Sequence, residues 1–134
     1  MAHRAIATPL DGEARPSGTL TLTTPPPSLN NAFVNGAKGR FKSPAYKAWA
    51  WVAQADLRKQ SGWHVPGRVR VCIAISRADT KADLDNLIKP VLDILVAAGR
   101  IADDRNVVSI EAEFADILGV RVSVTRTPEQ ERAA

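Results

Sequence analysis

The sequence predicts an α+β fold: one four-stranded mixed sheet with two α-helices packed on it, in the order β-α-β-α-β-β. Three observations predict it. Thr19–Thr24, Arg68–Arg77, Val107–Ala115 and Val120–Thr127 carry strand patterning. Pro44–Gln60 and the run after Asp85 instead repeat apolar residues at three and four positions, the helical period. The chain has 134 residues, 45% of them hydrophobic, enough for one domain with a single core. The expected division is a flexible N-terminal arm over 1–18, one domain over 19–127 and a polar C-terminal tail over 128–134.

The elements follow in order. Thr and Leu alternate over Thr19–Thr24, as in a strand with one buried face. Pro25-Pro26-Pro27 stops that strand, because proline donates no hydrogen bond to a ladder. Ser28–Ser43 reads as a loop holding Asn30, Asn31, Asn35 and two glycines. Its bases Lys38, Arg40 and Lys42 interleave with Phe33 and Phe41, which suits phosphate contacts with stacking on an exposed base. A surface loop whose two Phe side chains dip into the core fits equally well.

Ser43 is a favourable N-cap and Pro44 stands at the first helical position, where proline is accepted. Tyr46, Trp49, Ala50, Ala53 and Leu57 form the apolar face of this first helix. Trp51 falls off that face and suits contact with another subunit. Ser61-Gly62 ends the helix. Arg68–Arg77 alternates and then turns continuously apolar, as a central strand does. Ile117-Leu118-Gly119 between the last two strands suits a hairpin turn.

Composition excludes several classes. The formal charge is +4, yet the acidic residues concentrate in one stretch while Lys and Arg dominate elsewhere. An acidic cluster within a basic surface suits metal-assisted work on a polyanion. Cys72 is the one cysteine, so no disulfide forms within the chain, and a reducing cytoplasm fits. Cys72 itself reads as a core residue. His3 and His64 are too few and too far apart for a zinc site. No apolar run is long enough to span a bilayer, and the N-terminus lacks the apolar core of a signal peptide.

The informative stretch is Asp79–Asp104, DTKADLDNLIKPVLDILVAAGRIADD. Residues two apart face each other in extended chain and not on a helix. Asp83 and Asp85 therefore converge if Asp83-Leu84-Asp85 is extended, with Leu84 turned into the core. Helix then begins with Asp85 or Asn86 near the N-cap. Leu87, Ile88, Val91, Leu92 and Leu95 form the buried stripe, while Asp85, Lys89 and Asp93 line up on another face. Pro90 predicts a kink, and Gly99 ends the helix. The reversal after Gly99 can return Asp103 or Asp104 towards the helix start. Taken singly, Asp83 and Asp85 also read as N-caps, Lys89 as an i,i+4 partner of Asp85, and Asp93 as a partner of Lys89.

KADLDNLIKPVLDIL followed by AGRIADDRNV resembles the RusA family of Holliday junction resolvases, as do PPPSLNNAF and GRFKSPAYKAW upstream. The resemblance runs from about Leu20 to Val124 and implies the RusA-like form of the fold above. It implies a homodimer, bacterial or phage-encoded and cytoplasmic, that binds four-way junction DNA and cuts two strands symmetrically in recombination and repair. It implies Mg2+ as cofactor, with Mn2+ able to substitute. The family's catalytic and metal-binding aspartates fall on Asp83, Asp85 and Asp104, and its essential lysine on Lys89. The basic and Asn-containing segments give Asn30, Asn31, Lys38, Arg40, Lys42, Lys47 and Lys81 as expected DNA-binding residues. No organic cofactor and no membrane are expected.

The chemistry agrees with the residue types. Carboxylates are the hard oxygen donors that Mg2+ favours, and a nearby ammonium neutralises a phosphate or leaving oxygen. Two alternatives remain open: a dimeric DNA-binding protein without nuclease activity, and a nuclease acting on forks or flaps.

Overall fold

The computed structural model describes residues 16–28, 33–36 and 39–128. In chain order the elements are β1 (Ser17–Leu22), β2 (Phe33–Gly36), β3 (Gly39–Lys42), α1 (Pro44–Arg58), β4 (Val69–Ser76), α2 (Asp85–Ala97), β5 (Val107–Ala115) and β6 (Val120–Arg126). Short 3-10 turns at Arg77–Asp79 and Asp104–Asn106 flank α2. The main sheet has the strand order β1-β6-β4-β5. β4 pairs parallel with β5 and antiparallel with β6, so the sheet is mixed. α2 is the crossover that the parallel β4–β5 pair requires. This is the expected four-stranded α+β architecture with two helices.

Strict alternation makes one face of the sheet the core. Val69, Val71, Ile73 and Ile75 of β4 are buried, as are Val120, Val122 and Val124 of β6 and Leu20 and Leu22 of β1. They form one cluster with Tyr46, Trp49, Ala53 and Leu57 of α1 and with Leu87, Val91, Ile94 and Leu95 of α2. Cys72 belongs to the other face. It is half-buried, across from Ser123 and Glu111, and so is not the core residue the sequence suggests.

The helix ends have identifiable causes. Ser43 Oγ accepts the Tyr46 N–H at 3.1 Å, and Pro44 opens α1. The far end of α1 is closed by Arg100, a buried residue whose guanidinium donates to the carbonyls of Leu57, Ser61 and Trp63. Gly99, at φ +73°, lets the Gly99 and Arg100 N–H groups fold back onto the Val96 and Leu95 carbonyls, the expected glycine stop for α2. α2 runs unbroken through Pro90, which is buried within it. α1 itself ends at Arg58, short of the expected Gln60.

Four further expectations are corrected. Ser28–Ser43 is not all loop, because β2 and β3 pair antiparallel from Phe33↔Lys42 to Gly36↔Gly39. β1 begins at Ser17 and stops at Leu22, so two residues assigned to the arm join the sheet. β5 and β6 do not form a hairpin, because β4 lies between them. The connector instead passes over the end of β4, where the Ser76 N–H donates to the Gly119 carbonyl at 2.8 Å. Gly119 has φ +66°, and a Cβ there would strike the Leu22 carbonyl. Finally, Leu84 is helical (φ −56°, ψ −43°), so Asp83-Leu84-Asp85 is not an extended segment.

Candidate active site

The site grows from the start of α2. Asp85 is the first helical residue and not its cap, and no side chain caps this helix. The turn is closed by backbone, with the Asn86 N–H donating to Asp83 O and the Leu87 N–H to Leu84 O. Leu84 and Ala82 are half-buried against the core, which anchors the segment. Asp83 and Asp85 are exposed, and neither carboxylate has an ion-pair partner among the described residues.

Lys89 lies one turn beyond Asp85. Its Nζ is 2.6 Å from Asp104 Oδ2 and 3.0 Å from Asp93 Oδ1. The expected alternative pairing with Asp85 is therefore not the one formed. Asp104 first and Asp93 second push Lys89 up to about 12, so it remains an ammonium. The reversal after Gly99 thus returns Asp104 to the helix face that carries Asp85, Lys89 and Asp93.

Asp103 and Asp104 take different places in the 3-10 turn, Asp103 as its cap and Asp104 as its first residue. Asp103 caps it, accepting the Arg105 N–H at 2.9 Å, and pairs with the Arg105 guanidinium at 3.2 Å. These bonds, the backbone one foremost, hold the Asp103 carboxyl below its ordinary range. Asp104 alone of the two reaches α2.

One contact was not legible in the sequence. Tyr46 Oη donates to Asp93 Oδ2 at 3.1 Å, linking the buried face of α1 to the acid beside Lys89. Tyr46 reads in sequence only as part of an apolar face. Its phenol is pushed up to about 12 by burial first and by Asp93 next, so it stays a neutral donor.

Of the expected DNA-binding residues, Asn30, Asn31 and Lys38 lie outside the described residues. Arg40 is on β3. Lys42 is exposed at the end of that strand, with Nζ 5.3 Å from the Tyr46 ring centroid. Lys47 is exposed on the first turn of α1, and Lys81 is exposed just before the Asp83–Asp85 pair. His64 is engaged with the Gly99 carbonyl at 2.7 Å through Nδ1.

The donor set fits a hard divalent ion in chemistry, since every candidate is a carboxylate. The geometry is less complete. Among the described residues no three His, Cys, Asp or Glu side chains are grouped to hold an ion. Lys89 stands in as the cation at Asp104.

A mixed sheet backed by two helices, with carboxylates and a paired lysine around the crossover helix, defines a small α+β protein with an acid–lysine centre. The family model for the endodeoxyribonuclease RusA matches residues 23–125, and the chain belongs to that family. No curated protein matches the chain. Among the described residues no helix is long and apolar enough to cross a membrane.

Proposed function

We propose that this endodeoxyribonuclease-family chain resolves four-way DNA junctions by paired symmetric nicks, with a divalent ion, Mg2+ or Mn2+, as cofactor. The observation that carries the reading is the return of Asp104, fifteen residues along the chain, onto Lys89. It supports one acidic centre around the start of α2. In that centre Asp83, Asp85 and Asp104 would hold the ion.

A divalent ion bound there supplies an acidified water and neutralises charge on the phosphate. The protein's own part is positional and electrostatic. Lys89, kept charged, offers its ammonium to the scissile phosphate or leaving oxygen as negative charge develops. Lys42, Lys47 and Lys81, together with Arg40, Asn30, Asn31 and Lys38, hold backbone phosphates and so set the DNA's register. The described residues would form one such centre per chain, so two symmetric cuts need two copies related by a twofold axis. Trp51, 70% exposed on α1, is a candidate contact for that second copy. The expected setting is recombination and repair in a bacterial or phage-infected cytoplasm.

One observation favours a second reading, a dimer that binds DNA without cutting it. The three carboxylates are not gathered around an ion-sized space, and Lys89 already neutralises Asp104. Incubation with a synthetic four-way junction, a fork and a plain duplex, with and without Mg2+, separates the readings. Paired nicks in the junction alone support the proposal. Products from the fork alone point to a fork or flap nuclease. Metal-independent binding with no products supports the second reading.

A further inference from the structure

We infer that Asp93 and Tyr46 are positioning residues that hold the Lys89 ammonium at Asp104 through a hydrogen-bonded chain anchored in the core. The chain runs Tyr46 Oη to Asp93 Oδ2 at 3.1 Å, Asp93 Oδ1 to Lys89 Nζ at 3.0 Å, and Lys89 Nζ to Asp104 Oδ2 at 2.6 Å. It joins α1, α2 and the 3-10 turn.

The need for such a chain follows from the lysine. A lysine ammonium is a point charge on a flexible stem, and the Lys89 side chain is 47% exposed. Held by Asp104 alone, it would pivot about a single contact. A second carboxylate on the other side restricts it. Asp93 can serve only if its own plane is fixed, and Tyr46 fixes it by engaging one oxygen and leaving the other for Lys89. Tyr46 is itself held. It is 2% exposed, sits on the core face of α1, and its ring lies 5.9 Å from that of Trp49. Rigidity therefore passes from the core outwards to an exposed amine, as a well-supported site requires.

An i,i+4 ion pair on a helix surface is usually a minor stabilising contact. The buried phenol distinguishes this one. A tyrosine hydroxyl directed from the core to the far oxygen of the acid adds nothing to a solvated ion pair, but it does orient one.

The cleavage arm of the test rests on the nuclease reading, whereas an NMR arm does not. Asp93→Asn keeps the acceptor for Tyr46 and removes the charge that faces Lys89. Its single-turnover cleavage of a four-way junction in Mg2+ should fall about 10–100-fold while junction affinity and thermal stability stay near wild type. Asp93→Glu, which keeps the charge, should recover part of the rate. Tyr46→Phe should show a smaller fall in the same direction. NMR relaxation at the Lys89 ammonium should show greater mobility in Asp93→Asn, and in Tyr46→Phe to a lesser degree. Unchanged Lys89 mobility in Asp93→Asn overturns the inference, as does a rate loss matched by an equal loss of junction affinity. If the wild type cuts no DNA, the nuclease reading fails, and the NMR result alone decides between a held and a free ammonium.

Discussion

Lys89 Nζ and Asp104 Oδ2 stand 2.6 Å apart, a charge-assisted contact that ties the crossover helix to the turn leading into β5. The two side chains are 47% and 35% exposed, so water screens the pair and its contribution to folding is small. Its consequence is placement: an ammonium is held within a turn of Asp85, on the side to which Asp104 returns.

Lys89→Met should therefore separate activity from stability. Junction cleavage should fall by about 10²–10³, the scale for losing one preorganised charge at a reacting centre. Thermal stability should change by less than about 1 kcal/mol, because exposed ion pairs are worth little. Cleavage time courses and thermal melts on the same preparation check both parts.

The chain has a single tyrosine, so its phenolate absorbance reports Tyr46 alone. Burial and Asp93 raise that phenol from 10.0 to about 12 in the folded state. A raised folded value contributes stability that is full below the unfolded value and lost as pH climbs through the folded one. Lys89, raised from 10.5 to about 12, has the same sign. Denaturant unfolding should show no loss from these groups near neutrality and a decline above about pH 10. Phenolate absorbance of the native protein should appear later than that of the unfolded chain.

Arg100→Met tests what closes α1. Arg100 is 4% exposed, and its guanidinium serves three carbonyls on the segment 57–63. Removing it takes the guanidinium donors from the part-buried Ser61 and Trp63 carbonyls, while the Leu57 carbonyl keeps the Gln60 N–H, and the loss should be roughly 1–3 kcal/mol by denaturant unfolding. The acid–lysine centre is not touched by this change, so residual cleavage per folded molecule should match the wild type.

Gly119→Ala tests the crossover between β5 and β6. The positive φ and the approach of the Leu22 carbonyl leave no room for a Cβ. Destabilisation of more than about 1 kcal/mol is expected in the same assay.

The parts of the fold that were legible in the sequence are those where one physical signal dominates. Alternation revealed β1, β4, β5 and β6, and the three-and-four spacing of Leu87, Ile88, Val91, Leu92 and Leu95 revealed α2. Ser43-Pro44 and Gly99 marked helix ends because their conformational preferences are strong. What stayed hidden depends on tertiary choice. Nothing local to 116–119 states that β4 takes the place between β5 and β6; that follows from β4 carrying a hydrophobic stripe long enough to pair on both sides. β2 and β3 are four residues each, and their Asn, Gly and Lys content reads as loop; the signal was Phe33-Val34 and Phe41 flanking Gly36 and Gly39 at hairpin spacing. Leu84 shows no helical signature in sequence, yet its packing beneath the site winds it into the first turn.

The site divides in the same way. Lys89 with Asp93 was readable from i,i+4 spacing, and the return of Asp104 from the glycine-ended reversal. The choice of Asp104 over Asp103 was not readable, because either could turn inwards until Arg105 claims Asp103. Nor was Tyr46, whose hydroxyl is invisible to an argument built on apolar periodicity.

In the proposed reaction centre, Asp83, Asp85 and Asp104 converge on one divalent ion beside Lys89 when DNA is bound. The most direct test is anomalous diffraction from a crystal of the protein with four-way junction DNA and Mn2+. A manganese peak coordinated by these three carboxylates, with Lys89 Nζ directed at the adjacent phosphate, is the predicted result. A peak held by other residues, or Asp104 still locked to Lys89 with no ion at Asp83 and Asp85, would contradict it.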